Sequence, residues 1–505
     1  MNTIARGEWL FDGYITSDCG ATANIQTTHN YTNSSAQTFG VTIPSGMDVA
    51  CDVTLVEPGV AAQAIAENVL SESQIDGAVA HLLRVRFRLG EFDDPATQPY
   101  AQIPVSVICS AEHIALARDS ARQSIVLLAN PHATLPLDPS RTKSVAVVGP
   151  FGNSSKINGG PNYAGLPCGG AVTVAAAVAS AGFSTTVAEG CDVACASTNG
   201  FAAATAAAAA ADATIVVVGI DETIEDEGLD RTYLTLPGSQ AALITAACTA
   251  SRGPCVVVIM SGGAIDITSA MPAVTGGVFW TGFLGGSGAP ALVDTVFGMS
   301  APAGRLSQTF YPASFVNAIS MEEMNVRPGP SRFPPFSSPG RTSRFYNGTP
   351  LFPFGFGLSY TTWSTTVAGP ATVSLATTRA YLASNNRFGS LYASKRNEPV
   401  SAEYTVNVTN TGVVDSDYVV LGFLIPPGAG EKGVPLQTLF GFQRVHVSAG
   451  QTVTVWLGVG ARELTRAFSE GGSATAVRLP IEGEWTVRIG VRGEEGGAET
   501  RFLHA

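Results

Sequence analysis

The chain has 505 residues, 13% of them charged, with 55 Gly and a formal net charge of −12 at pH 7. That length exceeds a single hydrophobic core and implies a few domains, while the sparse charge and abundant small apolar residues suit compact α/β and β domains and exclude large disordered parts. No basic run offsets the acidic balance, which excludes nucleic acid as a partner. Residues 1–6 hold no apolar core of signal-peptide length. Residues 201–220 are apolar enough to suggest a membrane span. That reading is rejected: residues 202–211 form a helix-forming Ala run, Asp212 interrupts it, and residues 214–219 are strand-type. The chain is expected to be soluble.

Residues 1–90 alternate strand and helix. Residues 3–9 read as the end of a helix, and 13–17 as a strand that runs into Asp18, Cys19 and Gly20. A carboxylate at the end of an apolar strand is costly to bury without a partner. At the carboxyl end of a parallel strand it reads as part of an active site, and on spacing alone the alternative is a cap for the next helix. Residues 38–43 lead toward a second strand-end acid, Asp48. Residues 55–70 and 73–89 are expected as amphipathic helices, with Ser73 capping the second and Gly90 ending it. This is a β-α-β-α fragment of a parallel architecture, too short to close a barrel that takes roughly 200–250 residues.

A Pro-containing connector, residues 91–122, passes into a helix at 113–122. Apolar strands follow at 124–128, 144–149, 214–219, 255–262 and 277–280, joined by Ala-rich helices. Continuous β-branched runs that end in Gly indicate a parallel sheet covered on both faces. Residues 310–363, rich in Pro, Gly and aromatics, read as a long ordered surface segment, and 379–398 as a linker. From Ala402 the pattern alternates, at 404–409, 418–424, 452–457 and 484–490, with a turn at Asn410-Thr411-Gly412; this indicates an antiparallel β-sandwich.

Eight cysteines permit disulfides without requiring them. Cys191 with Cys195, and Cys248 with Cys255, are close enough for local bridges. Zinc is a poor alternative, because there is no CxxC pair and the His residues are scattered. Sequons at Asn30, Asn33, Asn153, Asn347 and Asn407 tilt toward a secreted glycoprotein. The acid-rich stretch from Asp221 to Asp230 follows directly on a strand, at the edge where α/β sheets place ligands. Crowded carboxyls raise one another's pKa, and a raised carboxyl beside an ionised one is the pairing that glycosidic cleavage needs; a solvated loop or a calcium site is the alternative. Gly285-Gly286-Ser287-Gly288-Ala289 approaches a nucleophile elbow, but its last Gly is Ala, Pro290 follows, and the later histidines, His446 and His504, lie in the β-sandwich.

Six segments together resemble glycoside hydrolase family 3, in the family's order and over nearly the whole chain. They are Gly13-Tyr14-Ile15-Thr16-Ser17-Asp18-Cys19-Gly20, residues 82–92, residues 124–128 with Leu135-Pro136-Leu137, residues 162–168, residues 219–231 with Leu236-Pro237-Gly238, and residues 352–360. The resemblance implies an α/β plus all-β fold: a C-terminal remnant of a TIM-type barrel (1–90), a linker (91–122), an α/β sandwich domain with a mostly parallel sheet (123–362), a second linker (363–400) and a fibronectin type III-like β-sandwich (401–505). It places the catalytic nucleophile on Asp18 and the acid/base on Glu227, with Glu225 and Asp226 as fallbacks, and implies no cofactor or metal. Cys19, residues 162–168 and the form of 219–231 look like the β-xylosidase branch of fungi and plants. That branch acts on xylo-oligosaccharides, with β-glucosidase and α-L-arabinofuranosidase as alternatives. A Cys19–Cys51 bridge would make Cys19 part of the substrate pocket, narrowing it against a hydroxymethyl group. In the family several hundred barrel residues precede the nucleophile strand, whereas here twelve do. A truncated, inactive or merely carbohydrate-binding remnant is therefore the second expectation.

Overall fold

The computed structural model describes residues 1–51, 57, 59–156, 168–384, 398–469, 476–491 and 496–505. They form two units, Met1–Val107 with Ala380–Glu398, and Ile108–Arg379 with Pro399–Ala505. The first is made of short elements: a π-helical segment Asn2–Glu8, then α1 (Ala21–Thr27), α2 (Ser35–Thr42), α3 (Val60–Ala66) and α4 (Glu72–Arg88). The strand expected at 13–17 is reduced to one parallel bridge, Thr16 with Val49. Ser17 N donates to Val49 O at 2.9 Å and Asp48 N to Ile15 O at 2.8 Å. Regular strands need neighbours, and this segment has one among the described residues. The helix expected at 55–70 begins at Val60 and stops at Ala66, just before Asn68 takes φ 57°; part of its expected first turn lies outside the described residues. Helix α4 is capped by Ser71 rather than Ser73. Ser71 N donates to Gln74 Oε1 at 2.9 Å, the return half of a capping box. The unit's small core is Ala36, Ala64 and Leu70, with Phe39, Ile43, Val69 and Ile75 against it.

The second unit opens with α5 (Ala111–Ser124), whose cap Ser110 accepts from His113 N at 3.3 Å. In chain order there follow β1 (Val126–Ala129), β2 (Ser144–Val148), α6 (Val174–Ser180), β3 (Ser184–Ala188), α7 (Phe201–Ala210), β4 (Ala213–Gly219), α8 (Gln240–Ala250), β5 (Cys255–Met260), β6 (Gly277–Trp280) and α9 (Gly288–Val296). The sheet order is β1-β6-β5-β4-β2-β3. All pairings are parallel except that β1 runs antiparallel to β6. The β-branched runs lie where the sequence puts them. Strand β3 has no such run because it is an edge whose side chains stay largely in solvent. Every residue of β4 is buried, since one face packs on Ala204 and Ala208 of α7 with Leu243 and Ala247 of α8, and the other on Val174 and Val178 of α6 with Leu292 and Val296 of α9. The Ala run at 202–211 is thus the close-packing side of a helix. Among the described residues no helix is long and apolar enough to cross a membrane. Ser287 is the N-cap of α9.

Beyond α9 come the two-residue pair β7 (Gly329–Pro330) and β8 (Ser337–Ser338), α10 (Thr342–Phe345), β9 (Trp363–Ala368), β10 (Thr372–Val373) and α11 (Leu375–Ser384), with 385–397 of the expected linker outside the described residues. Then follow β11 (Val400–Asn410), β12 (Ser416–Ile425), β13 (Thr438–Val447), β14 (Thr452–Gly460), the hairpin β15 (Thr465–Ser469) and β16 (Ala476–Pro480), β17 (Gly483–Ile489) and β18 (Ala498–His504). Two sheets, β10-β18-β17-β12-β13 and β14-β11-β9, enclose a core that includes Tyr404, Val406, Val408, Tyr418, Trp485 and Phe502. The alternation read from the sequence is the in–out alternation of these strands. Four disulfides are present: Cys19–Cys51, Cys191–Cys195, Cys248–Cys255, and Cys109–Cys168, which spans 59 residues and has no local signal.

Asp212 ties the start of β4 to β2. Its Oδ2 accepts from Lys143 N at 3.0 Å, Ser144 N at 3.0 Å and Ser144 Oγ at 2.9 Å, and Arg252 pairs with its other oxygen. The Lys143 N–H first, then the Ser144 hydroxyl and N–H, pull its carboxyl down to about 2. A depressed carboxyl stabilises the fold above its unfolded value near ~3.9 and loses that contribution as pH falls through the folded one. Asp212→Asn should therefore lower stability at neutral pH and flatten the acid limb between pH ~4 and ~2, as read from urea midpoints across that range.

Candidate active site

Asp18 is exposed. It is not a helix cap: the N-cap of α1 is Gly20, at φ 81°, and the Asp18 carboxylate instead accepts from Cys19 N at 2.9 Å. Besides the hydrogen bond from Ser17 N to Val49 O, three ties hold its backbone to the neighbouring segment. Cys51 N donates to Ser17 Oγ at 2.8 Å, Gly20 N to Cys51 O at 3.3 Å, and the Cys19–Cys51 disulfide closes the loop. A cavity of about 580 Å³ lies on the Ser17 side, lined by Ile15, Thr16, Ile25, His29 and Met47 among others. Asp18 is not among its lining residues.

The second strand-end acid has the opposite fate. The Asp48 side chain is 3% exposed and pairs with Arg6; its Oδ1 meets His81 Nδ1 at 2.9 Å, and its Oδ2 accepts from Ile15 N at 2.7 Å. Arg6 also donates to Gly13 O at 2.9 Å. A buried carboxylate satisfied in this way is a strut. It fixes the backbone three residues before Asp18 and is not itself available to a substrate.

In the second unit the acid-rich loop leaves the end of β4 through Gly219. Its φ is 149°, and a Cβ there would run into the Met260 carbonyl, so only glycine fits. Gln240, fully buried at the start of α8, closes its amide on that peptide: Gly219 N donates to Gln240 Oε1 at 2.9 Å, and Gln240 Nε2 donates to Gly219 O at 3.0 Å and Val193 O at 2.6 Å. Past this clamp the acids disperse. Asp221 is buried and accepts from Thr223 N at 3.0 Å and Thr223 Oγ1 at 2.5 Å. Glu225 pairs with Arg231 at 2.7 Å, and the Arg231 side chain, 5% exposed, also donates to Tyr233 O and Ala264 O. Asp226 and Leu229 exchange backbone hydrogen bonds of 3.1 and 3.0 Å across a tight turn with Gly228 at φ 75°, and Asp226 Oδ1 accepts from Glu227 N at 2.8 Å. Glu227 stands exposed at the tip. Of the fallback acids, Glu225 is held by Arg231 and Asp226 by its own turn.

The structure thus places the two residues singled out in the sequence on separate units, each as an exposed carboxylate on a braced strand-end loop. Such groups serve as nucleophile or as general acid/base. Sequence reasoning missed the bracing residues Arg6, His81, Arg231 and Gln240. No motif marks Arg6, His81 or Gln240, whose partners are distant in the chain, and Arg231 stands in the motif at 219–231, which does not mark its bracing role. Among the described residues no group of three or more His, Cys, Asp or Glu side chains could hold a metal ion. The expected motif at 162–168 lies outside the described residues except for Cys168.

A parallel α/β sheet with its acidic loop at the strand ends is the core of the match to known proteins: residues 125–360 match the Glycosyl hydrolase family 3 C-terminal domain. Residues 125–360 are thus a glycoside hydrolase family 3 C-terminal domain. It is 38% identical over 504 residues to Beta-D-xylosidase 1 of Arabidopsis thaliana, covering 97% of this chain and 62% of that protein. It is 35% identical over 504 residues to Exo-1,4-beta-xylosidase bxlB of Emericella nidulans, covering 98% of this chain and 62% of that one. Among solved structures it resembles a GH3 exo-beta-xylosidase (XlnD) in complex with a xylobiose aziridine probe, with TM-score 0.84 and 30% identity over 98% of this chain and 61% of that chain. The chain therefore spans about three fifths of the length of these relatives, 61–62%.

Gln240→Leu removes the buried amide but leaves the Gly219 N–H and C=O without partners, at a cost of about 2–3 kcal/mol. Urea unfolding should show that loss, and a thermolysin digest should cut the 220–233 loop faster than in the parent chain.

Proposed function

We propose that this chain carries the catalytic pair of a retaining glycoside hydrolase that releases xylose from the non-reducing end of β-1,4-xylo-oligosaccharides. The observation that carries the site assignment is the contrast between neighbours. Asp48 is buried in an ion pair with Arg6 and Glu225 is paired with Arg231, whereas Asp18 and Glu227 are exposed and carry no ion pair among the described residues. The names of the three relatives given above, each a β-xylosidase, support the substrate class, and two further relatives are named as both β-xylosidase and α-L-arabinofuranosidase.

In this reading Asp18 attacks the anomeric carbon while protonated Glu227 assists the departing oxygen; Glu227 then deprotonates the water that hydrolyses the xylosyl ester. Double displacement needs the two carboxyls about 5–5.5 Å apart. The Cys19–Cys51 bridge beside Asp18 acts as a wall that excludes a hydroxymethyl group and favours a pentose. Residues 1–90 act as the C-terminal part of a TIM-type barrel, 123–362 as the α/β sandwich domain and 401–505 as a fibronectin type III-like domain. The expected linkers at 91–122 and 363–400 are shorter than that, because α5 already lies in the second unit and β9 and β10 belong to the sandwich sheets. Secretion is supported by the four disulfides, and glycosylation by sequons whose Asn30 and Asn347 are exposed. The second reading is an inactive, carbohydrate-binding chain, favoured by the absence of Asp18 from the lining of the cavity beside it.

Hydrolysis of an aryl β-xyloside by the purified chain separates the two, and proton NMR of the first product must show the β-anomer. Asp18→Asn should lower kcat on the order of 1,000-fold or more. Glu227→Gln should abolish turnover of xylobiose while sparing part of the activity on aryl xylosides with good leaving groups. Undiminished turnover of xylobiose by Glu227→Gln would remove that residue from the mechanism, and a wild-type chain inert toward every xyloside would leave the binding role.

A further inference from the structure

The sheet β14-β11-β9 has one face in the core and one in solvent. The register sets Thr409 beside Thr452 and Ser364, Asn407 beside Thr454 and Thr366, and Thr405 beside Trp456 and Ala368. Thr409 and Thr452 share a hydrogen bond of 2.8 Å, and Thr454 Oγ1 donates to Asn407 Oδ1 at 2.8 Å. In this row of small hydroxyl and amide groups stands Trp456, 58% exposed and the most exposed of the five tryptophans. By contrast, Trp280 Nε1 donates to Ser261 O at 3.2 Å and Trp485 Nε1 to Ile481 O at 3.2 Å. Trp456 has no such partner among the described residues, and the next outward residue on its strand is Gly458, over which the exposed Val400 side chain lies.

A single exposed apolar side chain needs no explanation; what sets Trp456 apart is an amphipathic ring of the kind enriched at binding surfaces standing in a row of hydroxyl and amide groups. The occupant follows from charge. The chain carries −12 overall, yet the outward positions of these three strands hold a single ionisable group, Glu403. A face with a single carboxylate, at Glu403, and otherwise rich in hydroxyl and amide donors and acceptors around one aromatic ring matches a neutral polyhydroxylated chain: apolar sugar C–H faces lie on the indole while hydroxyls meet Thr and Asn. Four residues of β9 span roughly 14 Å, room for more than one sugar ring. We propose that this face binds a neutral polysaccharide, xylan, with Trp456 as the stacking platform; the choice of xylan rests on the function proposed above, the neutral chemistry does not.

The test is affinity electrophoresis of the full chain through gels containing soluble neutral xylan or, as the charged control, polygalacturonate. Xylan should retard the parent chain and polygalacturonate should not. Trp456→Ala should weaken retention on the order of tenfold at unchanged melting temperature, and Trp456→Tyr should keep most of it. Asn407→Asp, which puts a charge mid-face, should weaken retention as well. Asp18→Asn and Glu227→Gln should be retarded like the parent chain. If the chain proves inert toward xylosides while Trp456-dependent retention persists, the binding face stands and the catalytic reading falls. Equal retention of Trp456→Ala and parent, equal retention by polygalacturonate, or an N-glycan on Asn407 covering the indole would overturn it.

Discussion

The loop that carries Glu227 depends on one buried amide. Gln240 satisfies both the N–H and the C=O of Gly219 at the point where β4 ends and the acidic loop begins. Strand ends in a parallel sheet leave peptide groups without ladder partners, and a buried one left unpaired costs about 1–3 kcal/mol. Closing this peptide with a side chain from α8 settles the direction in which the chain departs. The Asx turn at Asp221 and the Arg231 pairing with Glu225 build outward from there. The exposed Glu227 is the last step of a sequence of constraints that starts in the core.

The first unit applies the same logic with different chemistry. A buried carboxylate, Asp48, takes a guanidinium, an imidazole and a backbone N–H, and a disulfide does the rest. In both units one carboxylate is left exposed while a chemically similar neighbour is turned inward to hold the frame. Identical residue types thus have opposite roles, separated by the partners they find.

The sheet and sandwich strands were readable from the sequence because each rests on a local pattern. Continuous Val and Ile runs stand for strands buried on both faces, as in 255–260, and strict alternation stands for a one-sided sheet, as in β11. Where the pattern failed, the determinant was not local. Strand β3 has no apolar run because it is an edge, the strand at 13–17 has too few neighbours to become regular, and Ser71 outcompeted Ser73 as a cap because Gln74 stands three residues beyond it. The two candidate carboxylates, Asp18 and Glu227, came from family motifs. Their support was not readable: Arg6 reaches Asp48 across 42 residues and Gln240 reaches Gly219 across 21, distances over which spacing says nothing about contact.

Every cysteine of the chain is paired, and the Cys19–Cys51 bond is one of the ties on the Asp18 loop. That makes the redox state of the compartment where the chain folds an ingredient of the site. In a glutathione-reduced cytosol the thiols stay open, and the loop is held by hydrogen bonds alone, from Ser17 N, Cys51 N and Gly20 N. A preparation folded there has the same sequence and mass to within a few hydrogens, yet Asp18 sits on a looser arm.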